Sequence, residues 1–171
     1  MPSPPPSPAV SSRDEQYDDV LKSIDALLDG EDDWIAAMAT VACELHHSFE
    51  YYDWTGFYRA ARDDLLVVGP YQGGHGCLRI PTGRGICGAA ARSRETQLVD
   101  DVSARDDHIA CSASTQSEIV VPVVTDPGGD LLAVLDVDSD RPAAFDETDR
   151  RYLEQLCETL GVRFARSGVA R

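Results

Sequence analysis

EIVVPVVTDPGGDLLAVLDVDS, residues 118–139, reads as an antiparallel hairpin, and its reading decides the fold class. Two apolar runs, EIVVPVV (118–124) and LLAVLDVDS (131–139), flank Asp126-Pro127-Gly128-Gly129. Proline presets φ in such a turn and glycine supplies the left-handed positions. Side chains alternate along a strand. Glu118, Val120, Pro122 and Val124 therefore share one face of the first run, and Leu132, Val134, Asp136 and Asp138 share one face of the second. If the two faces coincide, Glu118 lies opposite or diagonal to Asp136 and Asp138. Three carboxylates then converge at the strand ends, beside the loop that carries Cys111. A register slip of one residue would separate them.

Upstream of the hairpin, the period-two segments are YYDWTGFYRAA (51–61), Leu65–Val68 after an Asp63-Asp64 turn, CLRIP (77–81) and TQLVDDV (96–102). Helical spacing appears in 14–29, through Tyr17, Val20, Leu21, Ile24, Leu27 and Leu28, and in 32–49, through Trp34, Met38, Val41, Ala42, Leu45 and Phe49. Both are apolar stripes at intervals of three and four. GICGAAARSR (85–94) reads as a short helix opening at glycines. Residues 146–166 read as a helix with Phe145 as a staple, Asp146 as N-cap and a stripe of Tyr152, Leu153, Leu156, Leu160 and Phe164. Cys43 and Cys157 fall inside helices and are expected as small packed residues. His46 and His47 end the second helix, where the dipole favours them. The element order predicts an α+β domain: an antiparallel sheet with helices packed on it.

At 171 residues a single domain is expected. Residues 1–13 are rich in Pro and Ser, cannot bury apolar surface and are expected to be a disordered tail, with 14–171 as the folded, catalytic unit. The 30 acidic residues outnumber the 15 basic ones, of which only Lys22 is lysine, so the basic stripe of a nucleic-acid binder is missing. No apolar run reaches membrane-spanning length, and the N-terminus lacks a secretory pattern. The expected location is the cytoplasm. An odd count of five cysteines argues against a secreted disulfide framework.

Residues 70–118 concentrate the reactive chemistry. They hold Cys77, Cys87 and Cys111, together with His75 and His108, and six glycines lie between Gly73 and Gly88. A zinc site drawn from His75, Cys77, Cys87, His108 and Cys111 is one reading, but no C-x-x-C knuckle is present, and no metal is expected. Thiol redox chemistry is the other. Cys87 follows Gly85 at a helix start, where the dipole is expected to lower a thiol pKa. Cys111 sits in a polar loop three residues after His108.

WTGFY (54–58), GPYQG (69–73), CLRIPTGRGICG (77–88), DDHIACSASTQSEIVVPVV (106–124) and VLDVDS (134–139) resemble the free methionine-(R)-sulfoxide reductases, small single-domain GAF proteins. The likeness spans roughly residues 34–165 and includes the three loop cysteines. It implies a GAF-like α+β fold with an antiparallel sheet of about six strands, and free L-methionine (R)-sulfoxide as substrate. By that resemblance Cys111 is the attacking thiol, Cys77 the main resolving thiol, and Cys87 a relay or alternative resolver. Glu118, Asp136 and Asp138 match the family's active-site carboxylates, and Trp54 and Tyr58 match its pocket-walling aromatics. GGHG (73–76) is more flexible and polar than the resemblance leads one to expect before the resolving cysteine.

The residues suit such chemistry. A sulfoxide sulfur is attacked by a thiolate only when an acid protonates its oxygen. Crowded carboxylates cannot all ionise, so one keeps a proton near neutral pH. The resulting sulfenic acid is converted to a disulfide by a second thiol. An external dithiol such as thioredoxin restores the pair, and no bound organic cofactor is needed. Expected partners are the free amino-acid substrate and a thioredoxin-like reductant, with a homodimer left open. Nucleic acid and membrane are not expected. The alternative function is a non-catalytic GAF module for small-molecule binding or redox sensing.

Overall fold

The computed structural model describes residues 12–105, 113–125 and 128–165. Four helices, α1 (Arg13–Leu27), α2 (Trp34–Ser48), α3 (Gly85–Ser93) and α4 (Glu147–Phe164), surround strands β1 (Trp54–Arg62), β2 (Leu65–Gln72), β3 (Arg79–Pro81), β4 (Gln97–Val99), β5 (Ser117–Val124) and β6 (Leu131–Ser139). The strands form one six-stranded sheet in the order β3-β2-β1-β6-β5-β4, and every neighbouring pair is antiparallel. The α+β architecture expected from the sequence is the one observed.

Alternation along the strands divides the interior into two cores. One face carries Phe57, Ile119, Val121, Leu135 and Val137, against which α1, α2 and α4 lay Tyr17, Trp34, Met38, Leu45, Leu153, Leu160 and Phe164. The other carries Tyr58, Leu66, Ile80, Val120 and Val134, covered by Ile86, Cys87, Ala90 and Ala91 of α3. Three helices on one face and one short helix on the other leave the second face room for a site.

Local chemistry sets where the helices begin. Ser12 and Glu15 form a capping box on α1, and Asp33 accepts from the Ala36 N–H at the start of α2 (2.8 Å). Asp146 accepts from the Thr148 N–H (2.7 Å), while Asp149 accepts from the Asp146 N–H (2.8 Å). Each cap satisfies donors that would otherwise cost about 1 kcal/mol. Ser12 and Arg13, placed in the tail by composition, therefore belong to the folded unit; residues 1–11 lie outside the described residues. Arg13 also bonds the fully buried Asp149 carboxylate (2.6 Å), which accepts from the hydroxyls of Tyr17 (2.7 Å) and Tyr51 (2.6 Å). This satisfied ion network ties α1, α4 and the approach to β1 together. A Cβ on Gly161 would lie 1.8 Å from the Val124 carbonyl oxygen, so glycine is what lets α4 sit directly on β5.

Several expectations change. The strand expected over 77–81 begins at Arg79, and the one expected over 96–102 runs only from Gln97 to Val99, with a 3-10 turn over Val102–Ala104. β1 begins at Trp54 rather than residue 51, because Tyr51 and Tyr52 are spent on an aromatic cluster with Phe49 and Phe145. β2 continues through Gly69-Pro70 to Gln72. β3 pairs only with Leu65, Leu66 and Val67, so Pro70 faces no partner on that side, and a register shift between Gly56 and Tyr58 accommodates it on the other. Cys43 is half-buried rather than packed inside, with its Sγ 3.8 Å from His47 Nδ1.

Candidate active site

The register of the hairpin settles the carboxylate question. Glu118 pairs with Asp138, Val120 with Asp136, and Pro122 with Val134. On the other side of β6, Trp54 pairs with Asp138 and Gly56 with Asp136. Glu118, Asp136, Asp138, Trp54 and Tyr58 therefore share one face across three adjacent strands, the face that α3 covers. The convergence that the alternation allowed is present.

Trp54, Tyr58 and Tyr71 make an aromatic wall beside these acids. Trp54 stacks on Tyr58 (5.8 Å, 22°) and on Tyr71 (5.2 Å, 18°), and its indole N–H donates to the Gly74 carbonyl (3.1 Å). Gly56 sits beneath them. A Cβ there would be 2.3 Å from Tyr71 Cβ and 2.7 Å from the Trp54 ring, so the stack requires glycine at that position. Sequence alone does not mark Tyr71 as part of this wall; its cross-strand pairing with Gly56 brings it there.

Cys87 reaches the acids from α3. Its Sγ, one Glu118 oxygen and one Asp136 oxygen all lie within 4.8 Å of one another, and all three residues are buried. The Cys87 thiol and the Glu118 carboxyl are thus the polar groups packed against Asp136. Asp136 Oδ1 remains without a partner. An unpartnered buried acceptor costs about 1–3 kcal/mol, so this oxygen marks the place where a ligand's donor would be most strongly held.

Burial dominates the protonation of the cluster. It pushes Asp136 up to about 7, against the opposing effect of Cys87 and Glu118. Glu118 is raised well above the usual carboxylate range by burial and then by the charges of Asp136 and Asp138. The half-buried Asp138 is raised by burial and then by Asp136. The cluster thus holds protons at neutral pH and can deliver one.

The same environment overturns the expectation for Cys87. Burial raises its pKa well above the ordinary thiol value, and the charges of Asp136 and Glu118 add to the effect. A helix dipole contributes about 0.3–1 kcal/mol. Desolvating a thiolate beside carboxylates costs several kcal/mol, so the dipole loses and Cys87 stays a thiol.

The other two loop cysteines differ. Cys77 is half-buried and disulfide-bonded, whereas Cys43, Cys87 and Cys157 are free thiols. The Cys77 backbone lies close enough to the Tyr58 hydroxyl to lower its pKa against the larger effect of burial, which raises it. Cys111 and His108 lie outside the described residues. His75 is exposed. Among the described residues, the group of acids, thiols and histidines close enough to share an ion is Cys87, Glu118 and Asp136; the histidine–cysteine set includes His108 and Cys111 and so lies partly outside the described residues.

A stability prediction follows from the raised carboxyls. The folded state binds more protons than the unfolded chain between the ordinary carboxylate range and the folded value near 7, so stability falls as pH rises through that window. Asp136→Asn removes the share of that dependence that Asp136 contributes. It is expected to raise Tm by several degrees at pH 8 and to change it little at pH 4, since about 1 kcal/mol moves Tm by roughly 2–4 °C at this size. Thermal scans of both proteins across that pH range check it; parallel curves would count against buried, proton-holding acids.

This architecture, a six-stranded antiparallel sheet with its site on the face covered by a single short helix, is that of a GAF domain: the chain belongs to the GAF domain family, whose model matches residues 30–164. It is closely related to the free methionine-R-sulfoxide reductases. The reductase of that name from Escherichia coli is 39% identical over 149 residues, covering 87% of this chain and 88% of that protein. Protein YtsP of Bacillus subtilis is 44% identical over 149 residues, covering 86% and 90%. The structure of the free methionine-R-sulfoxide reductase from Neisseria meningitidis in complex with its substrate superposes with a TM-score of 0.87 at 44% identity, over 95% of this chain and 96% of that one.

Proposed function

We propose that this protein reduces free L-methionine (R)-sulfoxide to L-methionine with thiols alone. The observation that carries the reading is the buried Glu118–Asp136 pair: two acids packed together under α3, one with an open oxygen, beside an aromatic wall, where burial holds Glu118 well above the usual carboxylate range. Near full-length similarity to free methionine-R-sulfoxide reductases supports it.

In this reading the substrate ammonium meets Asp136 Oδ1 and Asp138, while Trp54 and Tyr58 pack the thioether arm. Glu118 hands a proton to the sulfoxide oxygen as the Cys111 thiolate attacks the sulfur. Methionine leaves, and Cys111 holds the oxygen as a sulfenic acid. The Cys77 thiol attacks that sulfur, water departs, and a Cys77–Cys111 disulfide remains. The disulfide state of Cys77 is the product expected of that step. Cys87, held as a thiol against Asp136, is a proton partner of the acid pair and a reserve resolver. A dithiol of thioredoxin type returns two electrons and two protons, and no organic cofactor enters the cycle.

The test is dithiol-dependent turnover on separated diastereomers of free methionine sulfoxide. Consumption of the R form with the S form untouched is the expected result. Equal rates on both, or no methionine from either, would count against the assignment.

A further inference from the structure

Leu78 is 67% exposed, more than the other large exposed apolar side chains among the described residues, Leu27, Ile35 and Val162. Those three lie on α1, α2 and α4, the helices covering the opposite face of the sheet; Leu78 lies at the β3 edge, directly after the disulfide-bonded Cys77. Its backbone is fixed, because its carbonyl accepts from the Val68 N–H (3.2 Å). Nothing in the fold requires an apolar side chain at such a place. Charge separates this segment from the rest of the chain too. Residues 65–94 contain four arginines and no acid, in a protein with net charge −15. Arg79, beside Leu78, and Arg84 are both exposed.

We propose that Leu78, with the adjoining exposed Arg79, is the docking surface for a small protein dithiol that carries an acidic rim and reduces the Cys77 disulfide. The proposal rests on the reading of Cys77 as the resolving thiol. In that reading the reductant's sulfur attacks Cys77 Sγ, and Leu78 is the exposed apolar residue that adjoins Cys77 in the chain. The reductant's thiolate attacks Cys77, the bond to Cys111 breaks, and Cys111 leaves as a thiolate that takes up a proton. The reductant's second thiol then attacks the mixed disulfide at its own first sulfur. Cys77 is released as a thiol, and the reductant departs oxidised by two electrons. An apolar anchor with a basic border gives such an encounter both grip and steering.

The experiment follows reduction of the oxidised protein directly, without methionine sulfoxide, with thioredoxin or dithiothreitol as the probe. Leu78→Asp is expected to lower the second-order rate with thioredoxin at least tenfold and to leave the dithiothreitol rate within twofold. The wild-type thioredoxin rate is expected to fall as salt rises from 0.05 to 0.5 M while the dithiothreitol rate stays level. An unchanged thioredoxin rate in Leu78→Asp, an equal loss with both reductants, or a wild-type protein that thioredoxin does not reduce would each overturn the proposal. A protein reduced as expected that leaves methionine sulfoxide untouched would instead refute the catalytic reading and keep the surface.

Discussion

Cys111→Ser is expected to lose sulfoxide reduction by a factor of about 10³ or more, including the first turnover. Removing a covalent nucleophile takes away the step on which the others depend, and losses of that size or larger follow. Cys77→Ser is expected to behave differently: up to one methionine per protein, then a stall with a sulfenic acid on Cys111. The two outcomes separate attack from resolution, and rapid-quench counting of methionine against protein reads both. Multiple turnover by Cys111→Ser would remove Cys111 from the mechanism. Cys43→Ala and Cys157→Ala serve as controls with near-normal activity. The Cys157 thiol is fully buried in the α4 core, and burial raises its pKa out of the reactive range.

A second large effect is expected in the choice of substrate. The free amino acid brings an ammonium to the acid cluster; a residue inside a peptide brings a neutral amide. Asp136 and Glu118 are 5% and 6% exposed, so a substrate that fails to pair with them leaves buried acids unsatisfied. A site built around a polar partner rejects an analogue lacking it by roughly 10⁴-fold. The ratio of kcat/KM for free L-methionine (R)-sulfoxide to that for its N-acetyl amide is therefore expected near that value. Comparable values for the two would mean that the acids do not read the ammonium. Asp136→Asn, expected to stabilise the fold at high pH, is expected to weaken this discrimination, a trade of stability for function at one residue.

Much of the site was legible because strand alternation is strict. Once 118–124 and 131–139 are read as a hairpin, only the register of Glu118 against Asp138 is open, and that pairing holds in the structure. The capping chemistry at Asp146 and the apolar stripes of α2 and α4 were readable for the same reason: each depends on spacing along one element. What was not legible depends on elements far apart in sequence. Cys87 sits at a helix start, which argues for a reactive thiol; only the fold places it under the sheet face against Glu118 and Asp136, where burial reverses the argument. Tyr71 joins the aromatic wall through its pairing with Gly56, across a β2 that Gly69 and Pro70 disguise. The half-buried state of Cys43 depends on which side of α2 faces the core at that turn.

The central claim is that this GAF domain turns its ligand over rather than merely holding it. Thiol titration of the fully reduced protein before and after one equivalent of free L-methionine (R)-sulfoxide, with no reductant present, tests it most directly. The account predicts the loss of two thiols per protein and the release of one methionine. An unchanged thiol count with the ligand bound would contradict it and leave a binding module.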